Sequence, residues 1–305
     1  MSISAYTKDV GKRGVIFQFD DENLVYLIKG FNKLFLCDTH EGPLSMKYIT
    51  DYINDKNLSD KDLYVFNSHS DFDHVWGNCV FDCPIIGHTF CRERLKERGE
   101  YDYEVKSKYH KGTVKLKLPD LIFNDNIKFA EEGIEFFHAP GHTIDSSICI
   151  DRKEKVAYVG DLVESPVIIL LYHHLEQYLQ SLSYIKDLAE ESYTIISSHS
   201  GIVDKSLIEE NISYLRNLVR ENKVKTENSR MQNLHNFNKK NLVILKYERV
   251  LRDKSGSDFN YKEYKKKFWG KFDVKYENLD REYIYMLNNS IDDLERAMKE
   301  CIAEL

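Results

Sequence analysis

The chain has 305 residues, of which 42% are apolar and 30% are charged, a composition typical of globular proteins rather than of disordered or fibrous ones. Its formal charge of -7 argues against general affinity for nucleic acid, although the lysines at 262 and 265–267 could form a local basic patch. Apolar stretches fall far short of the roughly 20 residues that a membrane-spanning helix needs, so we expect neither nucleic acid nor a membrane as a partner.

The N-terminal residues and the cysteines bear on the cellular compartment. Residues 1–17 carry four charges and lack the apolar core of an export signal. The six cysteines contain no CxxC pair, which favours buried, reduced thiols. We therefore expect a cytoplasmic protein.

The first part of the chain predicts three strands separated by turns, then a helix and a fourth strand. The strands are predicted at 15–17, 24–28, 34–37 and 63–66, with a turn at 20–23. A helix is predicted to begin at Pro43, because proline suits the first turn of a helix. The polar residues 67–74 then predict a loop that leaves a strand end, where α/β proteins tend to keep their functional residues.

The middle of the chain predicts a second set of strands and two amphipathic helices. The strands are predicted at 134–138, 148–150, 156–159 and 193–197, and the helices at 175–189 and 206–219. Three of these strands lead into a potential metal ligand, namely His142, Asp161 or His199. We therefore expect functional residues at several strand ends.

The sequence becomes more polar after about residue 223, and we expect a main domain over 1–222 and an accessory segment over 223–305. Within it, 242–251 and 259–268 have the pattern of a β-hairpin. A last helix is predicted over 280–302. Its apolar residues follow alternating steps of three and four, as in a coiled coil: Ile284, Leu287, Ile291, Leu294, Met298 and Cys301. This seam either packs on the main domain or forms a homodimer interface.

The densest functional signal is the run His69-Ser70-Asp71-Phe72-Asp73-His74, which holds four possible metal ligands in six residues. Crowded carboxylates and imidazoles compete for solvation unless a cation neutralises them. Taken alone, the run could also be a solvated acidic turn. His142, Asp161 and His199 favour a metal site, because each follows an apolar strand and sits beside Gly or Ser, where the backbone can approach a ligand closely.

Taken in chain order, the run at 69–74, His142, Asp161 and His199 resemble the pattern of the metallo-β-lactamase superfamily. That pattern is HxHxDH, a later His, an Asp after a Gly, and a final His. The resemblance covers about residues 14–220. It implies an α/β fold, a four-layer αββα sandwich with the metal site at one edge between the sheets, followed here by the C-terminal accessory, mainly helical segment. Asp38-Thr39-His40, which follows Cys37, is similar to the family's early Asp-Thr-Gly motif, with His40 in place of the Gly. In the family, the Asp of this motif supports the metal ligands without itself binding a metal.

The resemblance also implies the assignment of ligands to two metal ions. One ion would be held by His69, Asp71 and His142, and the other by Asp73, His74 and His199, with Asp161 bridging them. Asp71 stands where the family has its second His, which makes the expected site harder and shifts its preference toward iron or manganese, with zinc as the alternative. It also makes the motif similar to the HxExDH of the flavodiiron branch. The later His is followed by Thr-Ile-Asp-Ser instead of the family's Thr-Pro-Gly-Ser.

Two divalent metal ions (iron, zinc or manganese) lower the pKa of a bridging water until hydroxide is available near neutrality. We therefore expect a hydrolase acting on a small-molecule ester, thioester, lactone or phosphodiester, with Asp73 as the catalytic residue that orients the nucleophile. One alternative is a di-iron redox or oxygen/nitric oxide-sensing protein lacking a flavodoxin domain. Another is an effector that binds a partner through the C-terminal seam.

Four residues near these motifs are interpreted as structural. His138 lies within a strand pattern and is not needed to complete either set of ligands. His173 and His174 suit a helix start better than a substrate contact. Trp76 suits core packing better than a pocket wall.

Overall fold

The computed structural model describes residues 4–19, 23–220, 224 and 226–305. Most of the turn predicted at 20–23, and the boundary predicted between residues 222 and 223, lie outside the described residues. The sandwich and the C-terminal helices are both described.

Seven strands form the first sheet and follow one another across it in chain order. They are β1 (Ala5–Val10), β2 (Gly14–Phe19), β3 (Leu24–Lys29), β4 (Lys33–Cys37), β5 (Asp62–Phe66), β6 (Ile85–His88) and β7 (Leu121–Phe123). The first four are antiparallel neighbours, and β4 to β7 are parallel. Strands β2 to β5 confirm the predicted ones, whereas β1, β6 and β7 were not predicted.

Six strands form the second sheet, in the order β13-β12-β11-β10-β9-β8. They are β8 (Asn126–Phe129), β9 (Ile134–His138), β10 (Ser147–Asp151), β11 (Val156–Tyr158), β12 (Thr194–Ser197) and β13 (Gly201–Val203). Only the β11–β12 pair is parallel among the pairings of this sheet. The strands predicted from periodicity are β9 to β12.

The helices in chain order are α1 (Pro43–Asp55), α2 (Phe72–Val75), α3 (Thr89–Val105), α4 (Leu175–Glu190), α5 (Lys205–Val219), α6 (Ser229–Ser255), α7 (Tyr261–Gly270), α8 (Glu282–Asn288) and α9 (Ile291–Ala303). The starts of α1 and α4 and the span of α5 agree with the predicted helices to within one residue. The loop predicted at 67–74 is a loop only up to Asp71, because residues 72–75 form α2.

The two sheets face each other across an apolar core, and helices cover their outer faces. Phe66 of the first sheet stacks on Phe136 of the second, with ring centroids 4.4 Å apart. The neighbours of the inward residues on each strand point outward, where α1 packs on the first sheet and α4 and α5 pack on the second. These four layers confirm the predicted αββα sandwich.

The accessory segment is helical, and the β-hairpin predicted from 242–251 and 259–268 is wrong. Buried residues of α6 recur at Asn241, Ile244, Glu248 and Leu251, which is a helical period rather than the alternation of a strand. Helices α6 to α9 share an apolar cluster with Tyr101 and Val105 of α3. The segment therefore packs on the sandwich through α3.

The helix predicted over 280–302 is interrupted before residue 291. Asn289 is extended, and the Ser290 hydroxyl accepts a hydrogen bond from Asp293 N at 3.1 Å, so Ser290 begins a new helix as its N-cap. The predicted seam is consequently not continuous. Leu294 and Met298 are fully buried within the chain, whereas Ile284 is 50% exposed.

Three of the four lysines in the basic run at 262–267 are paired with carboxylates. Lys262 lies 2.6 Å from Glu104, Lys265 lies 2.5 Å from Glu282, and Lys266 pairs with Glu263 on its own helix. None of the helices formed by the described residues is long and apolar enough to cross a membrane. All six cysteines are free thiols, and four of them are buried.

Candidate metal centre

Four loops or turns that leave strand ends bring the seven predicted ligands together. His69 and Asp71 follow β5, and Asp73 and His74 lie on α2 directly after them. The other three ligands follow β9, β11 and β12: His142, Asp161 and His199. Gly160 allows the β11 loop to pack on Ser68, because its φ is +53° and a Cβ there would lie 2.7 Å from the serine hydroxyl.

Asp161 lies at the centre of the four imidazoles. Its Oδ2 atom is 3.3 Å from Nε2 of both His74 and His199, 3.7 Å from Nε2 of His69 and 3.8 Å from Nε2 of His142. One carboxylate oxygen therefore faces all four rings. This is the arrangement that a bridging ligand requires.

The other two carboxylates each face one pair of imidazoles. Asp71 Oδ2 lies 3.8 Å from His69 Nε2 and 3.5 Å from His142 Nε2. Asp73 Oδ2 lies 3.7 Å from His74 Nε2 and 3.4 Å from His199 Nε2. The potential ligand atoms within each of these two groups lie within 4.8 Å of one another, and the same holds for Asp161 with His69 and His74 and for Asp161 with Glu164 and His199. The first two groups have the composition of the two ligand sets that the resemblance implies.

The donor set fits divalent cations. Nε2 of His69 and Nε2 of His74 are buried and have no hydrogen-bond partner, although buried imidazole nitrogens normally have one. Ligand atoms about 2.0–2.2 Å from one tetrahedral ion are roughly 3.3–3.6 Å apart, close to the separations between these nitrogens and the carboxylates. The side chains thus have the spacing of metal ligands.

Hydrogen bonds at Nδ1 orient two of the imidazole rings. Asp38 Oδ2 lies 2.8 Å from His74 Nδ1, as predicted for a supporting carboxylate. His142 Nδ1 donates to the Ile169 carbonyl at 2.9 Å. Because a carbonyl only accepts, this bond places the proton of a neutral His142 ring on Nδ1 and leaves Nε2 free to bind a metal.

The three carboxylates favour the charged forms of His74, His142 and His199, whereas burial lowers the pKa of His69. Burial lowers the pKa of His142, but Asp71 and Asp161 outweigh it and raise the pKa to about 9. Burial also opposes charging of His74 and His199, yet Asp161 and Asp73 raise both pKa values well above 6.5. The pKa of Asp161 falls well below 3.8 despite burial, because of His199 and His74.

A sequence model of the metallo-beta-lactamase superfamily matches residues 24–197. The chain belongs to the metallo-β-lactamase superfamily.

One curated relative is the hydroxyacylglutathione hydrolase of Pelagibacter ubique (strain HTCC1062), 28% identical over 150 residues, which are 47% of this chain and 52% of that protein. The match thus spans about half the length of the relative. Among solved structures, a metallo-beta-lactamase from Pontibacter korlensis has a TM-score of 0.56 at 16% identity and covers 70% of this chain and 100% of that one. The FIM-1 metallo-beta-lactamase from Pseudomonas aeruginosa has a TM-score of 0.56 at 12% identity, covering 70% and 96%. Both likenesses show the fold.

Arg94 contacts two carboxylates that stand where the superfamily pattern has other residues. Its Nη2 lies 3.8 Å from Asp71 Oδ1, and its Nε lies 3.0 Å from Asp145 Oδ1 and donates to the Ser70 hydroxyl at 2.9 Å. Asp71 replaces a His of the pattern, and the fully buried Asp145 replaces a Gly. The guanidinium therefore balances both additional carboxylates.

Sequence reasoning missed Arg94 and Glu164. Arg94 lies on α3, which was not predicted. Glu164 is buried and groups with Asp161 and His199. Its carboxylate accepts a hydrogen bond from Ile169 N at 2.8 Å, and burial together with Asp161 raises its pKa to about 7. Its only signal in the sequence was its position three residues after a predicted ligand.

Five of the seven ligands line a cleft with a volume of about 940 Å³: Asp71, Asp73, His142, Asp161 and His199. Lys106 at the end of α3 and Arg230 at the start of α6 also line it. The cleft thus gives a substrate access to the ligands and places two cationic side chains around it.

The residues interpreted as structural lie away from the ligands. His138 Nε2 donates to the Ile144 carbonyl at 2.8 Å, and its ring stacks on His88. His173 and His174 face Arg249 and line a different cavity. Trp76 is 1% exposed and packs in an apolar cluster.

Proposed function

We propose that this chain is a binuclear hydrolase whose substrate is a thioester. The observation that carries the proposal is the position of Asp161 Oδ2, within 3.3–3.8 Å of Nε2 in all four histidines. A single carboxylate at that place can bridge two ions, one held with His69, Asp71 and His142 and the other with Asp73, His74 and His199. The ligand sets are those of the superfamily pattern with one substitution.

When bound, two divalent cations supply a hydroxide nucleophile near neutral pH and polarise the scissile carbonyl. Asp73 has a pKa below its ordinary value, because His74 and His199 outweigh the effect of burial. It is therefore ionised at neutral pH and can accept a hydrogen bond from the nucleophile. In this proposal Asp73 orients the nucleophile, and Asp38 and the Ile169 carbonyl hold the imidazoles in place.

The thioester class is proposed from the curated relative. A hydroxyacylglutathione is a thioester, and the matched protein is named for hydrolysing it. The match covers about half of each chain, so we carry over the type of bond and not the particular thiol or acyl group. An oxygen ester, a lactone or a phosphodiester would require the same nucleophile.

The metal proposed for the Asp71 half is iron or manganese. A carboxylate in place of an imidazole gives this half one more hard, anionic oxygen, which iron and manganese accept more readily than zinc does. The other half keeps the ligands of the superfamily pattern. The metal preferences of the two halves are therefore expected to differ.

The test begins with elemental analysis of the purified protein, followed by a panel of thioester, oxygen ester, lactone, phosphodiester and β-lactam substrates. We expect two metal ions per chain and preferential hydrolysis of the thioester. His74→Ala and Asp161→Ala should each lose metal and activity, whereas His173→Gln, which removes an imidazole outside the site, should keep both. Full activity of His74→Ala, or hydrolysis without metal, would contradict the proposal.

Asp71 also supports an alternative, a di-iron redox protein. The elemental analysis and the substrate panel decide between this alternative and the hydrolase. The described residues from 226 to 305 form helices and contain no strand, so these residues supply no flavodoxin-like unit. Two irons whose colour bleaches on anaerobic reduction and returns with oxygen, without hydrolysis of any substrate, would favour that alternative.

A further inference from the structure

Residues 168–171 form a segment without regular secondary structure that lies between the candidate metal centre and helix α6. Ile168 and Leu170 are fully buried, so their backbone polar groups need hydrogen-bond partners from within the protein. Most loops avoid this requirement by lying at the surface. The 168–171 segment therefore depends on neighbouring residues for the partners that a sheet would otherwise supply.

One side of the 168–171 segment contacts His142. The Ile169 carbonyl accepts the hydrogen bond from His142 Nδ1, and Leu171 N donates to the His142 carbonyl, both at 2.9 Å. Ile169 N donates to the Glu164 carboxylate at 2.8 Å. The segment thus holds both the ring and the main chain of His142, so its position sets the direction in which His142 Nε2 points.

The other side of the 168–171 segment is bonded to two asparagines of α6. Asn238 accepts from Leu170 N at 3.0 Å and donates to the Ile168 carbonyl at 2.7 Å. Asn241 donates to the Leu170 carbonyl at 2.7 Å. The two asparagines are three residues apart and so share a face of the helix. Their amides therefore replace the neighbouring strand with which an extended segment would pair in a sheet.

Asparagine at these two positions of α6 is explained by the bonds to the 168–171 segment. It is a poor helix former, and burying an amide destabilises a protein unless its polar atoms are hydrogen-bonded. Asn238 is fully buried and Asn241 is 7% exposed, whereas Ile244 and Leu251 occupy buried positions further along α6. Asn238 also donates to the Tyr214 hydroxyl at 3.0 Å, which fixes the orientation of its amide.

We propose that Asn238 and Asn241 are positioning residues of the metal centre. By holding the 168–171 segment, they keep the Ile169 carbonyl against His142 Nδ1 and so direct His142 Nε2 toward the ion of the half that contains Asp71. The inference rests on the proposed function for the presence of that ion. It makes helix α6 of the accessory segment a part of the metal centre.

The first experiment measures zinc affinity by competition with a chromophoric chelator. Asn238→Leu removes two bonds to the 168–171 segment, and we expect it to weaken one of the two proposed ions by about 10–100-fold. Asn241→Leu removes one bond and should weaken the same ion by up to about tenfold. Leu251→Ala also destabilises α6, but it lies in the apolar cluster of the accessory helices. This matched control should leave both affinities unchanged.

A double-variant cycle separates positioning from a general loss of structure. Since Asn238 acts through His142 in this proposal, Asn238→Leu should have no further effect on zinc affinity in a His142→Gln background. Asn241→Leu goes through the same cycle if Asn238→Leu does not fold. The same fold loss in both backgrounds would mean that the asparagines only stabilise the fold, and it would overturn the proposal. Wild-type zinc affinity in both asparagine variants would do so too.

The second experiment needs no metal. It records the ring N–H signals of the metal-free protein with 15N-labelled histidine, and the signal of His142 Nδ1 is assigned by its absence in His142→Gln. This ring is 3% exposed and hydrogen-bonded, so its proton should exchange slowly enough to be seen. We expect the signal in the wild type and in Leu251→Ala, and its shift or loss in Asn238→Leu and Asn241→Leu.

The two experiments keep the proposed function and the positioning role apart. A wild-type chain that neither binds zinc nor hydrolyses any substrate would defeat the proposed function and leave the ring N–H signal to judge the asparagines. A wild type without that signal, or an unchanged signal in both asparagine variants, would overturn the positioning role.

Discussion

Asp38 supports the metal centre through one carboxylate that receives four hydrogen bonds. Its oxygens accept from Ser68 N, the Ser68 hydroxyl, the Tyr158 hydroxyl and His74 Nδ1, at 2.6–2.8 Å. Its φ is +64°, a conformation in which Asp and Asn are enriched over most other residues. The carboxylate therefore links the loop that carries His69 to the ring of His74.

Asp38→Asn should weaken metal binding at the half held by Asp73, His74 and His199. The amide keeps the backbone conformation but loses the charge that orients His74 Nδ1, and changes of this kind typically cost about 10–100-fold in metal affinity. Competition with a chromophoric chelator measures the effect. Asp62→Asn, at a site 73% exposed, should have no effect. Wild-type affinity in Asp38→Asn would contradict the supporting role.

The metal-free protein should become less stable as the pH rises from about neutral to alkaline. The pKa of His142 is raised from 6.5 to about 9, so its stabilising charge is fully present below pH 6.5 and is lost as the pH passes through about 9. His74 and His199 shift in the same direction. Thermal unfolding midpoints across this range should fall, and the fall should be shallower in His142→Gln. A midpoint that rises would show that the imidazoles are neutral.

Arg94→Met should destabilise the protein strongly, because it leaves the fully buried Asp145 without its cation. Removing one partner of a buried pair typically costs about 3–5 kcal/mol. The double variant Arg94→Met with Asp145→Asn should recover part of this loss, since the uncompensated charge is gone. Urea unfolding of the two single variants and the double variant gives the coupling. Additive effects would mean that the two side chains act independently.

Helix α3 and the last predicted helix show how elements depend on their surroundings. Helix α3 is rich in Arg, Glu and Lys, and its buried residues form no regular apolar stripe, so periodicity did not indicate it. It is stabilised by contacts with distant residues, such as the cluster that Tyr101 and Val105 share with α6 to α9. The apolar residues of the predicted seam over 280–302 recur at helical spacing, but Ser290, the N-cap of α9, divides the seam between two helices.

The two halves of that seam should respond differently to truncation. Leu294→Ala should cost about 2–5 kcal/mol, because Leu294 is fully buried and its removal leaves a cavity. Ile284→Ala, at a residue 50% exposed, should stay within about 0.5 kcal/mol in urea unfolding. Sedimentation of both variants at several concentrations also tests the predicted homodimer, since a dimer formed through the seam would weaken in Ile284→Ala.

At the scale of the molecule, the accessory helices are joined to the loop that supports the metal centre. Asn238 of α6 accepts from Leu170 N at 3.0 Å and donates to the Ile168 carbonyl at 2.7 Å. The residue between them, Ile169, accepts the hydrogen bond from His142 Nδ1. A chain of contacts thus runs from α6 through this loop to a predicted ligand.

We therefore expect the sandwich and the accessory helices to unfold together. The two tryptophans report on the two parts separately, since Trp76 lies in the sandwich and Trp269 lies on α7. Variants Trp269→Phe and Trp76→Phe should give coincident fluorescence midpoints in urea. Separate midpoints would instead support independent domains on either side of the predicted boundary near residue 222.

The sequence by itself determined eight of the thirteen sandwich strands, β2 to β5 and β9 to β12, and the seven residues that meet at the candidate centre. These signals are local: strand periodicity, a six-residue run of donors, and donors directly after apolar strands. Only the tertiary structure decided the helical form of most of 242–251 and 259–268 and the partners of Arg94. They depend on side chains far apart in the chain, and burial and charge balance among such residues arise only when the elements pack.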